Sequence, residues 1–461
     1  MAVTARHAAV RRWDPPATAV ALGIARRDIT PPVGIRARNW GAALSDVSTG
    51  VHAPLTATAL ALGDGDRPAY LVSLDLGWWA SAEDERALRD IVLDRLGAGE
   101  ERLLIHLIHT HAGPSVRTDE TDLPGGELIP DYIAALAEHI VDACEEAARA
   151  RVPGLVTWAY GRCDLAVNRD LPCGDGTVVA FNPGTPADDT LLVGRITDEN
   201  DRVLGTLLNY ACHPTTLAWD NTLLSPDLVA GAREIVEAET GAPCLFVQGA
   251  SGDLGPRYGF TGDPEDADRN GHALGHAASA ALTLMPPPGT GLELTRVVES
   301  GAPVGVWEHH PADGIGGLRC ERIEVSMPLA GRVAEQDADL PEHVAQERAR
   351  RAARLRRGYV DGDRARHPVW VWHLGPAVLV AHPGEAYSAL QTELRRRHVD
   401  RPVVVANLTN GPGHVYLPTR EAYERDRYQV WQSVLAAGCL ERLIEAADEH
   451  IVETAAGSED A

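Results

Sequence analysis

Residues 103–114 have the sequence LLIHLIHTHAGP, and this stretch does most to define the fold. Its first six residues are apolar apart from His106, which predicts a buried strand that ends before Ala112-Gly113-Pro114. Side chains alternate along a strand, so His109 and His111 are expected on one side, where the strand enters a loop. α/β proteins often place catalytic groups at such a point. The alternative is two histidines satisfied by hydrogen bonds in a polar turn.

Three more apolar runs end in residues that can bind metal. Neutral imidazole and carboxylate are ligands that Zn²⁺ takes, and catalytic zinc sites usually combine three protein ligands with an open position. Four such strand ends favour a metal site. The runs and the residues that follow them are Val203–Tyr210 with His213, Ala377–Ala381 with His382 and Glu385, and Pro402–Ala406 with a tract that ends in His414-Val415-Tyr416.

The chain resembles the neutral/alkaline (non-lysosomal) ceramidase family, zinc-dependent amidases that cleave the N-acyl bond of ceramide. The matching motifs occur in family order and span roughly residues 20 to 440. They are 23–32 (GIARRDITPP), 109–114 (HTHAGP), Asn168-Arg169, 209–214 (NYACHP), 248–253 (QGASGD), Pro383-Gly384-Glu385, 408–416 (LTNGPGHVY), Tyr423 and Tyr428.

The resemblance implies a complete active site. Tyrosine is an unusual zinc ligand, so the residues alone would favour His414 over Tyr416, but the family pattern selects Tyr416. The implied zinc ligands are His109, His213, Glu385 and Tyr416, and the implied catalytic residues around the substrate amide are His111, Arg169 and Tyr428.

These assignments agree with the chemistry of amide hydrolysis. A zinc ion with an open position lowers the pKa of bound water to about 7, which supplies hydroxide at neutral pH. The tetrahedral intermediate carries an oxyanion that needs donors, and His111 or Tyr428 can donate there or protonate the leaving amine. Arg169 offers a planar fork of donors for a carboxylate or an oxyanion.

The chain departs from the family at one motif. The family has a Gly-Asp-Val-Ser-Pro-like sequence whose serine has been proposed as a nucleophile, whereas residues 252–256 here are GDLGP. Gly255 takes the place of the serine, and Ser251 is not aligned with it. We therefore expect a metal-activated water rather than a serine nucleophile, and the departure argues against ceramide as the substrate.

Other polar residues have simpler interpretations. His106 is predicted to be structural, and His382 either supports a ligand or does not contact one. His309-His310 is expected in a solvated loop, and Asp227 and Asp253 are expected to be cap or turn residues rather than ligands of a second ion. A Cys212–His213 nucleophile pair is disfavoured because neighbours on a strand face opposite sides.

Composition excludes several classes of protein. The chain has 461 residues with 42 Lys and Arg against 66 Asp and Glu, a net charge of −24, which argues against nucleic acid and anionic membranes. Seven scattered cysteines without CxxC spacing suggest reduced thiols. Residues 1–16 lack a signal peptide core, and no run is long enough for a transmembrane helix, so a cytoplasmic location is expected. The basic run Arg348–Arg357 predicts a solvated helix face, or a site for an acidic partner or a carboxylate substrate.

The expected fold is α/β, a large mixed β-sheet flanked by helices in a ceramidase-like catalytic domain. Residues 1–18 are expected to be an N-terminal extension, 19–450 a single metal-dependent hydrolase domain, and 451–461 an acidic tail. The family's C-terminal β-sandwich is expected to be absent, and residues 286–318 are predicted to be a lid or rim loop. Predicted strands are 56–62, 69–74, 103–108, 155–160, 192–197, 203–210, 244–248, 319–325, 369–373, 377–381 and 403–408; predicted helices are 82–96, 130–150, 226–240, 267–284, 343–357, 387–397 and 421–449.

The predicted function is zinc-dependent hydrolysis of a linear amide in a soluble N-acyl compound. Nucleic acid is not expected to be a partner. Two alternatives use the same fold: an acyl-transferring or cyclising enzyme, esterase or lactonase at the same metal site, and a binding protein without turnover. The Ala-, Arg- and Gly-rich composition is typical of high-GC bacteria. The sequence does not indicate an oligomeric state.

Overall fold

The computed structural model describes residues 11–174, 176–331, 342–413, 415–425 and 427–456. The α-helices within these ranges are α1 Ala82–Leu96, α2 Ile129–Arg149, α3 Leu228–Thr240, α4 Pro264–Leu284, α5 Glu342–Arg356, α6 Ala389–Arg397, α7 Tyr428–Gln432 and α8 Cys439–Ala456. The strands are β1 Arg12–Trp13, β2 Ala17–Asp28, β3 Gly50–Val51, β4 Thr56–Leu62, β5 Ala69–Leu74, β6 Leu103–Leu107, β7 Val152–Arg162, β8 Ala166–Asn168, β9 Asp170–Cys173, β10 Gly176–Val179, β11 Thr190–Asp198, β12 Val203–Tyr210, β13 Leu223–Leu224, β14 Cys244–Gln248, β15 Leu254–Pro256, β16 Thr290–Glu299, β17 Pro303–Pro311, β18 Ile315–Gly316, β19 Leu318–Pro328, β20 Val360–Asp361, β21 Arg364–Leu374, β22 Ala377–Ala381, β23 Glu385–Ala386, β24 Val403–Ala406 and β25 Tyr416–Leu417.

Two mixed sheets form the centre of the fold. The larger has the strand order β14-β12-β11-β7-β2-β4-β5-β6, with β18 added beside β2, and only its two edge pairs and β18 are parallel. The smaller has the order β19-β21-β22-β24, with β20 beside β21 and one parallel pair, β22 with β24. In both sheets, the parallel pairs include strands that are followed by predicted site residues.

The sheets pack face to face because each strand alternates its buried side chains between two cores. In the larger sheet Leu60 and Leu71 point to the layer between the sheets, whereas Ala59 and Val72 point outward. In the smaller sheet Trp370 and Trp372 fill the same layer, with their neighbours facing away. Strands buried on both faces have apolar residues at successive positions, as 377–381 and 403–406 do.

Helices cover both outer faces. Helices α1 and α2 cover one part of the larger sheet, α3 and α4 another, and α5, α6 and α8 cover the smaller sheet. Local sequence sets their ends: Ser81 caps α1 by accepting from the Asp84 N–H, and Gly97 ends that helix in a left-handed conformation. The fold is thus a four-layer helix–sheet–sheet–helix arrangement, which confirms the predicted mixed α/β class.

Most predicted elements are present near their predicted bounds. The antiparallel hairpin of β4 and β5 has the predicted limits, and β11 pairs with β12 as expected. The single helix predicted over 421–449 is wrong, because the chain there forms a 3-10 turn at Arg420–Glu424, the short helix α7, and α8 from Cys439. Apolar spacing could not reveal these breaks, at one of which Gly438 has a φ of 90°.

The loop predicted over 286–318 is also wrong. Residues 290–311 form a two-stranded antiparallel hairpin, β16 and β17, and β16 pairs with β1 near the N-terminus. His309 and His310 therefore lie on β17 instead of in a loop, and His310 contacts Asp14 at 2.9 Å. Among the described residues the hairpin pairs with β1, and the lid or rim role stays a prediction.

The predicted domain limits of 1–18, 19–450 and 451–461 stay predictions. Strand β2 begins at Ala17, so the described chain joins the main sheet slightly before the predicted domain start. None of the described helices combines the length and the apolar character needed to cross a membrane. All seven cysteines are unpaired, as their spacing predicts.

Candidate metal centre

The loops that follow β5, β6, β12 and β22 converge on one buried cluster. His109 follows β6 and has a φ of 73°, a left-handed backbone conformation that costs a non-glycine residue about 1 kcal/mol. Its N–H donates to the Leu76 carbonyl at 2.9 Å, which holds that conformation. Backbone strain of this kind is concentrated at functional sites.

The expected reason for the proximity of His109 and His111 is wrong. We expected both on one face of a continuing strand, but β6 ends at Leu107 and His109 turns the chain. The two rings nevertheless lie 4.9 Å apart between centroids. The turn, and not strand alternation, brings them to the same place.

Glu385 and Tyr416 are held together by backbone pairing. They are register partners in the two-stranded parallel pair of β23 and β25, and the Glu385 N–H donates to the Val415 carbonyl at 2.8 Å. Both residues are buried. Two residues 31 positions apart in sequence therefore present their side chains side by side. His414, the competing candidate, lies outside the described residues.

Three ligand-type atoms form a compact triangle at the centre of the cluster. His109 Nε2 lies 3.0 Å from His213 Nε2, and Glu385 Oε2 lies 3.1 Å from the first and 2.9 Å from the second. Ligands of a tetrahedral ion with bonds of about 2.0–2.1 Å would be separated by about 3.3 Å. The triangle is therefore of the size that a small metal ion requires.

The backbone carbonyls beside the two Nδ1 atoms favour a cation within this triangle. His109 Nδ1 lies 3.2 Å from the Gly77 carbonyl, and His213 Nδ1 lies 2.7 Å from the Ser251 carbonyl. A neutral ring that donates from Nδ1 has only a lone pair on Nε2. In the tautomers that donate from Nδ1, two lone pairs and a carboxylate face one another, and a metal ion satisfies all three.

The electrostatic setting keeps the donor atoms in forms that bind metal. Burial, and then nearby Arg169, lower the pKa of His213 to about 3, although Glu385 opposes this. Burial opposes ionisation of Glu385, but the two histidines outweigh it and hold its pKa well below the usual range. At neutral pH His213 is therefore neutral and Glu385 ionised, the forms in which each residue is a ligand.

Arg169 connects the triangle to Tyr416. Its Nη2 donates to the Tyr416 hydroxyl at 3.1 Å and to the Gly252 carbonyl at 2.9 Å. Burial and Glu385 raise the pKa of Tyr416, while Arg169 lowers it. The arginine is itself buried, and the negative charge of its neighbours keeps it protonated.

His111 and Tyr428 form the accessible side of the site. Both side chains are partly exposed, unlike the predicted ligands, but the two ring nitrogens of His111 are buried and have no hydrogen-bond partner among the described residues. The His111 ring packs 4.8 Å from both Trp40 and Trp78, and Tyr428 lies 5.9 Å from Tyr416 between ring centroids. Burial lowers the pKa of His111, helped by His109 and His213, so its ring is neutral.

The structure thus brings all seven predicted site residues into one cluster. His109, His111 and His213 form a group whose ligand atoms lie within 4.8 Å of one another, which could hold a metal ion. In the triangle, however, the third corner is Glu385 and His111 stands beside it. The assignment of His111 as a catalytic residue stays a prediction.

Several residues at the site were missed by sequence reasoning. The carbonyls of Gly77 and Ser251 orient the rings of His109 and His213, respectively. A pattern of side chains in the sequence cannot predict such a role for a backbone group. Asp170 accepts from Gln429 Nε2 and Arg427 Nη1, both at 2.8 Å, and so anchors the turn that carries Tyr428. The adjacency of Asp170 to Arg169 is a sequence signal for this role.

The remaining candidates have structural roles. Asp227 caps α3 by accepting from the Leu228 N–H at 2.7 Å, and Asp253 accepts from the Ser388 N–H at 2.7 Å before α6. His106 bonds Thr409 and the Gln248 N–H, which supports its predicted structural role. Gly255 lies beside Arg169, where an added Cβ would be 3.7 Å from Arg169 Cδ.

Comparison with solved structures agrees with this architecture, and the chain has a ceramidase-like fold. One similar structure is the neutral ceramidase from Pseudomonas aeruginosa, with a TM-score of 0.64, 18% identity, and coverage of 94% of this chain and 73% of that chain. Another is a ceramidase complexed with C2, with a TM-score of 0.64, 17% identity, and coverage of 94% and 74%. No model of a known protein family matches the chain.

Proposed function

We propose that the chain is a zinc-dependent amide hydrolase that cleaves the N-acyl bond of a soluble compound. The observation that carries this proposal is the triangle of His109, His213 and Glu385, in which two lone pairs and a carboxylate face one another. The ceramidase-like fold supports it, because the similar solved structures are ceramidases and the family that the sequence resembles cleaves an amide. A cytoplasmic location and a bacterial source stay predictions from the sequence.

The donor set fits zinc. Two imidazole nitrogens, one carboxylate and a phenol are nitrogen and oxygen ligands, and three of these atoms lie 2.9–3.1 Å apart, slightly closer than the ligands of a tetrahedral ion. His109, His213 and Glu385 would hold the ion, with Tyr416 completing the set. When bound, the ion supplies a Lewis acid and a water of lowered pKa, about 7 in known zinc sites.

Side chains of the protein can transfer the proton to the leaving nitrogen and stabilise the oxyanion. Neutral His111, whose ring nitrogens have no hydrogen-bond partner in the described part of the chain, can take a proton at one nitrogen and donate from the other. The Tyr428 hydroxyl, on the accessible side, can donate to an oxyanion or to the leaving nitrogen. Arg169 holds the Tyr416 hydroxyl in place through a 3.1 Å bond.

A serine nucleophile is not required. Gly255 occupies the position of the family's serine, and the buried Ser251 hydroxyl contacts Gln248 Nε2 at 2.7 Å. All steps assigned here use donors and acceptors that the chain retains.

The test is turnover of matched amide and ester substrates by metal-free and zinc-loaded protein. We expect zinc-dependent release of a free acid and a free amine from amides, identified by mass spectrometry. Transfer of the acyl group to an amine or formation of a ring would instead support the acyl-transferring alternative. Zinc binding without turnover of any amide or ester would overturn the hydrolase and leave a binding protein.

A further inference from the structure

The segment that follows β5, Asp75-Leu76-Gly77-Trp78, contacts His109 in three ways. The Leu76 carbonyl accepts from the His109 N–H at 2.9 Å, and the Gly77 carbonyl lies 3.2 Å from His109 Nδ1. The Trp78 ring packs 5.5 Å from the His109 ring between centroids. The backbone conformation and the ring orientation of this predicted ligand therefore both depend on where segment 75–78 lies.

The same segment fits closely against the loop that carries His111. The Trp78 ring packs 4.8 Å from the His111 ring between centroids. At Gly77 an added Cβ would lie 2.9 Å from the Thr110 carbonyl, so the two stretches of backbone are in direct contact. A displacement of segment 75–78 would therefore move a predicted ligand and a predicted catalytic residue together.

A buried carboxylate fixes the start of this segment. Asp75 Oδ2 accepts from the Thr56 N–H at 2.8 Å and from the Thr56 hydroxyl at 2.9 Å, and the Asp75 N–H donates to the Thr56 carbonyl at 3.0 Å. Arg233 Nη1 donates to the same carboxylate oxygen at 2.6 Å. Both Asp75 and Arg233 are buried. One oxygen atom thus joins β4, α3 and the segment that holds His109.

Stability alone does not explain the Asp75–Arg233 ion pair. Asp75 Oδ1 and the Arg233 atoms Nε and Nη2 are buried and have no hydrogen-bond partner among the described residues. Burial opposes the charge on Arg233, but Asp75 outweighs burial and raises the pKa of the guanidinium. A buried ion pair with unbonded polar atoms often contributes no more stability than apolar residues of the same volume. The pair does supply a fixed position, because a charge-assisted hydrogen bond is short and directional.

We propose that Arg233 is a positioning residue for His109 and acts through Asp75. The ion pair fixes the carbonyls of Leu76 and Gly77. The Gly77 carbonyl can only accept, so it selects the ring form that donates from Nδ1 and presents a lone pair at Nε2 to the triangle. The inference rests on the proposed zinc-dependent hydrolysis and assigns part of the metal affinity to a residue of α3.

The first test measures zinc affinity, by competition with a chelator, in the unmodified chain and in two variants of Arg233. We expect Arg233→Gln to weaken zinc binding by about tenfold or more, since loss of groups that orient metal ligands costs roughly 10–100-fold in affinity. Arg233→Lys keeps a cation beside Asp75 and should recover part of the affinity. With cobalt in place of zinc, the visible absorption spectrum should change in Arg233→Gln, because a displaced His109 alters the coordination geometry.

The ion pair of Glu85 and Arg89 on α1 provides a matched control. Arg89 Nε lies 2.6 Å from Glu85 Oε1, the same separation as in the Asp75–Arg233 pair, and all four side chains are buried. Neither Glu85 nor Arg89 belongs to segment 75–78. Arg89→Gln should therefore lower the melting temperature, as Arg233→Gln does, and yet retain the zinc affinity. Equal losses of zinc affinity in the two variants would overturn the positioning role.

A measurement on metal-free protein separates this inference from the proposed function. Nitrogen NMR spectra of histidine-labelled protein report the tautomer of each ring, and a His109→Gln spectrum identifies the His109 signals. We expect the Nδ1–H tautomer of His109 in the unmodified chain and a loss of that preference in Arg233→Gln. If the unmodified chain binds no zinc, the proposed function fails and the tautomer decides the positioning role. An unchanged tautomer in Arg233→Gln overturns that role.

Thr56→Val keeps the experiment decisive if Arg233→Gln does not fold. It removes the hydroxyl that donates to Asp75 and leaves every charge in place. We expect the same two changes on a smaller scale, with zinc binding weaker by about threefold, because one of the bonds to the carboxylate is lost. Unchanged zinc affinity and an unchanged His109 tautomer in a folded Thr56→Val variant would then overturn the inference.

Discussion

Two pairs of buried histidines in this fold approach each other to almost the same distance and yet have different chemistry. His109 Nε2 and His213 Nε2 are 3.0 Å apart, and His367 Nε2 and His382 Nδ1 are 3.1 Å apart. In the first pair both Nδ1 atoms face backbone carbonyls, so no hydrogen remains for the contact between the rings.

In the second pair, side-chain groups that can donate or accept surround the rings. The Tyr359 hydroxyl lies 2.8 Å from His367 Nδ1, and Asn407 Oδ1 lies 2.8 Å from His382 Nε2. His382 Nδ1 donates to the Pro383 carbonyl, 2.5 Å away, so an N–H lies beside His367 Nε2 in the contact between the rings. The comparison teaches that the partners of the far nitrogen, and not the distance between rings, distinguish a candidate metal pair from a structural one.

The largest expected effect comes from removing one member of the first pair. His213→Ala should reduce the metal content from about one zinc per chain to near zero, because three ligands are needed to hold the ion. Plasma mass spectrometry of purified protein measures this. His367→Gln, which alters the second pair, is the control and should bind as much zinc as the unmodified chain. Equal metal content in His213→Ala would contradict the assignment of the triangle.

Removal of the metal should destabilise the folded chain next most strongly. A ligand that binds only the folded state stabilises it by about 2.7 kcal/mol at a hundredfold excess over Kd. Calorimetry should therefore show a lower melting temperature after chelation and recovery with zinc. The same treatments should leave His213→Ala unchanged, and a shift of equal size in that variant would place the bound ion elsewhere.

Substitution of the second pair should affect stability but not metal binding. His367→Ala removes the described partner of the buried Tyr359 hydroxyl and one contact of His382, which should cost about 1–3 kcal/mol in the free energy of unfolding. Urea denaturation measures the loss. His367→Gln can replace one of these bonds and should recover part of it, whereas loss of zinc in either variant would show that the two pairs are coupled.

The second pair should also make stability depend on pH. Burial, and then neighbouring His382, hold the pKa of His367 well below 6.5, and burial lowers that of His382 to about 4 although Asn407 and Pro383 oppose it. The unfolded chain therefore takes up these protons first, so their stabilising contribution is present above about pH 6.5 and is lost as pH falls toward 4. Urea midpoints across this window should fall less steeply in His382→Gln, and identical slopes would refute this origin.

The smallest expected effect is at the position of the family's serine. An added Cβ at Gly255 would be 3.7 Å from Arg169 Cδ, an ordinary van der Waals contact. Gly255→Ser should therefore fold normally and change kcat/KM by less than about threefold, or 0.7 kcal/mol. A large gain in amide hydrolysis would show instead that a serine nucleophile improves this site. The rate of hydrolysis would then not depend on the proposed metal centre alone.

The sequence predicted strand bounds closely wherever apolar runs are short and end in turn residues. Strands β4, β5, β12, β14 and β22 have their predicted limits. It failed where a regular pattern conceals a break, as in 421–449, and where glycine and proline sit inside a hairpin, as in 290–311. Helical spacing and turn composition are properties of short segments. Neither specifies which distant strand pairs with the segment in the folded chain.

The sequence by itself determined the chemical inventory of the site. Histidine, glutamate, tyrosine and arginine side chains stand next to strand ends, and their order along the chain resembles that of the ceramidases. Only the tertiary structure decided how they meet. The left-handed turn at His109, the pairing of β23 with β25, and the carbonyls of Gly77 and Ser251 fix which atoms face one another. The physical reason is that hydrogen-bond direction depends on backbone groups distant in sequence, which no local pattern of side chains specifies.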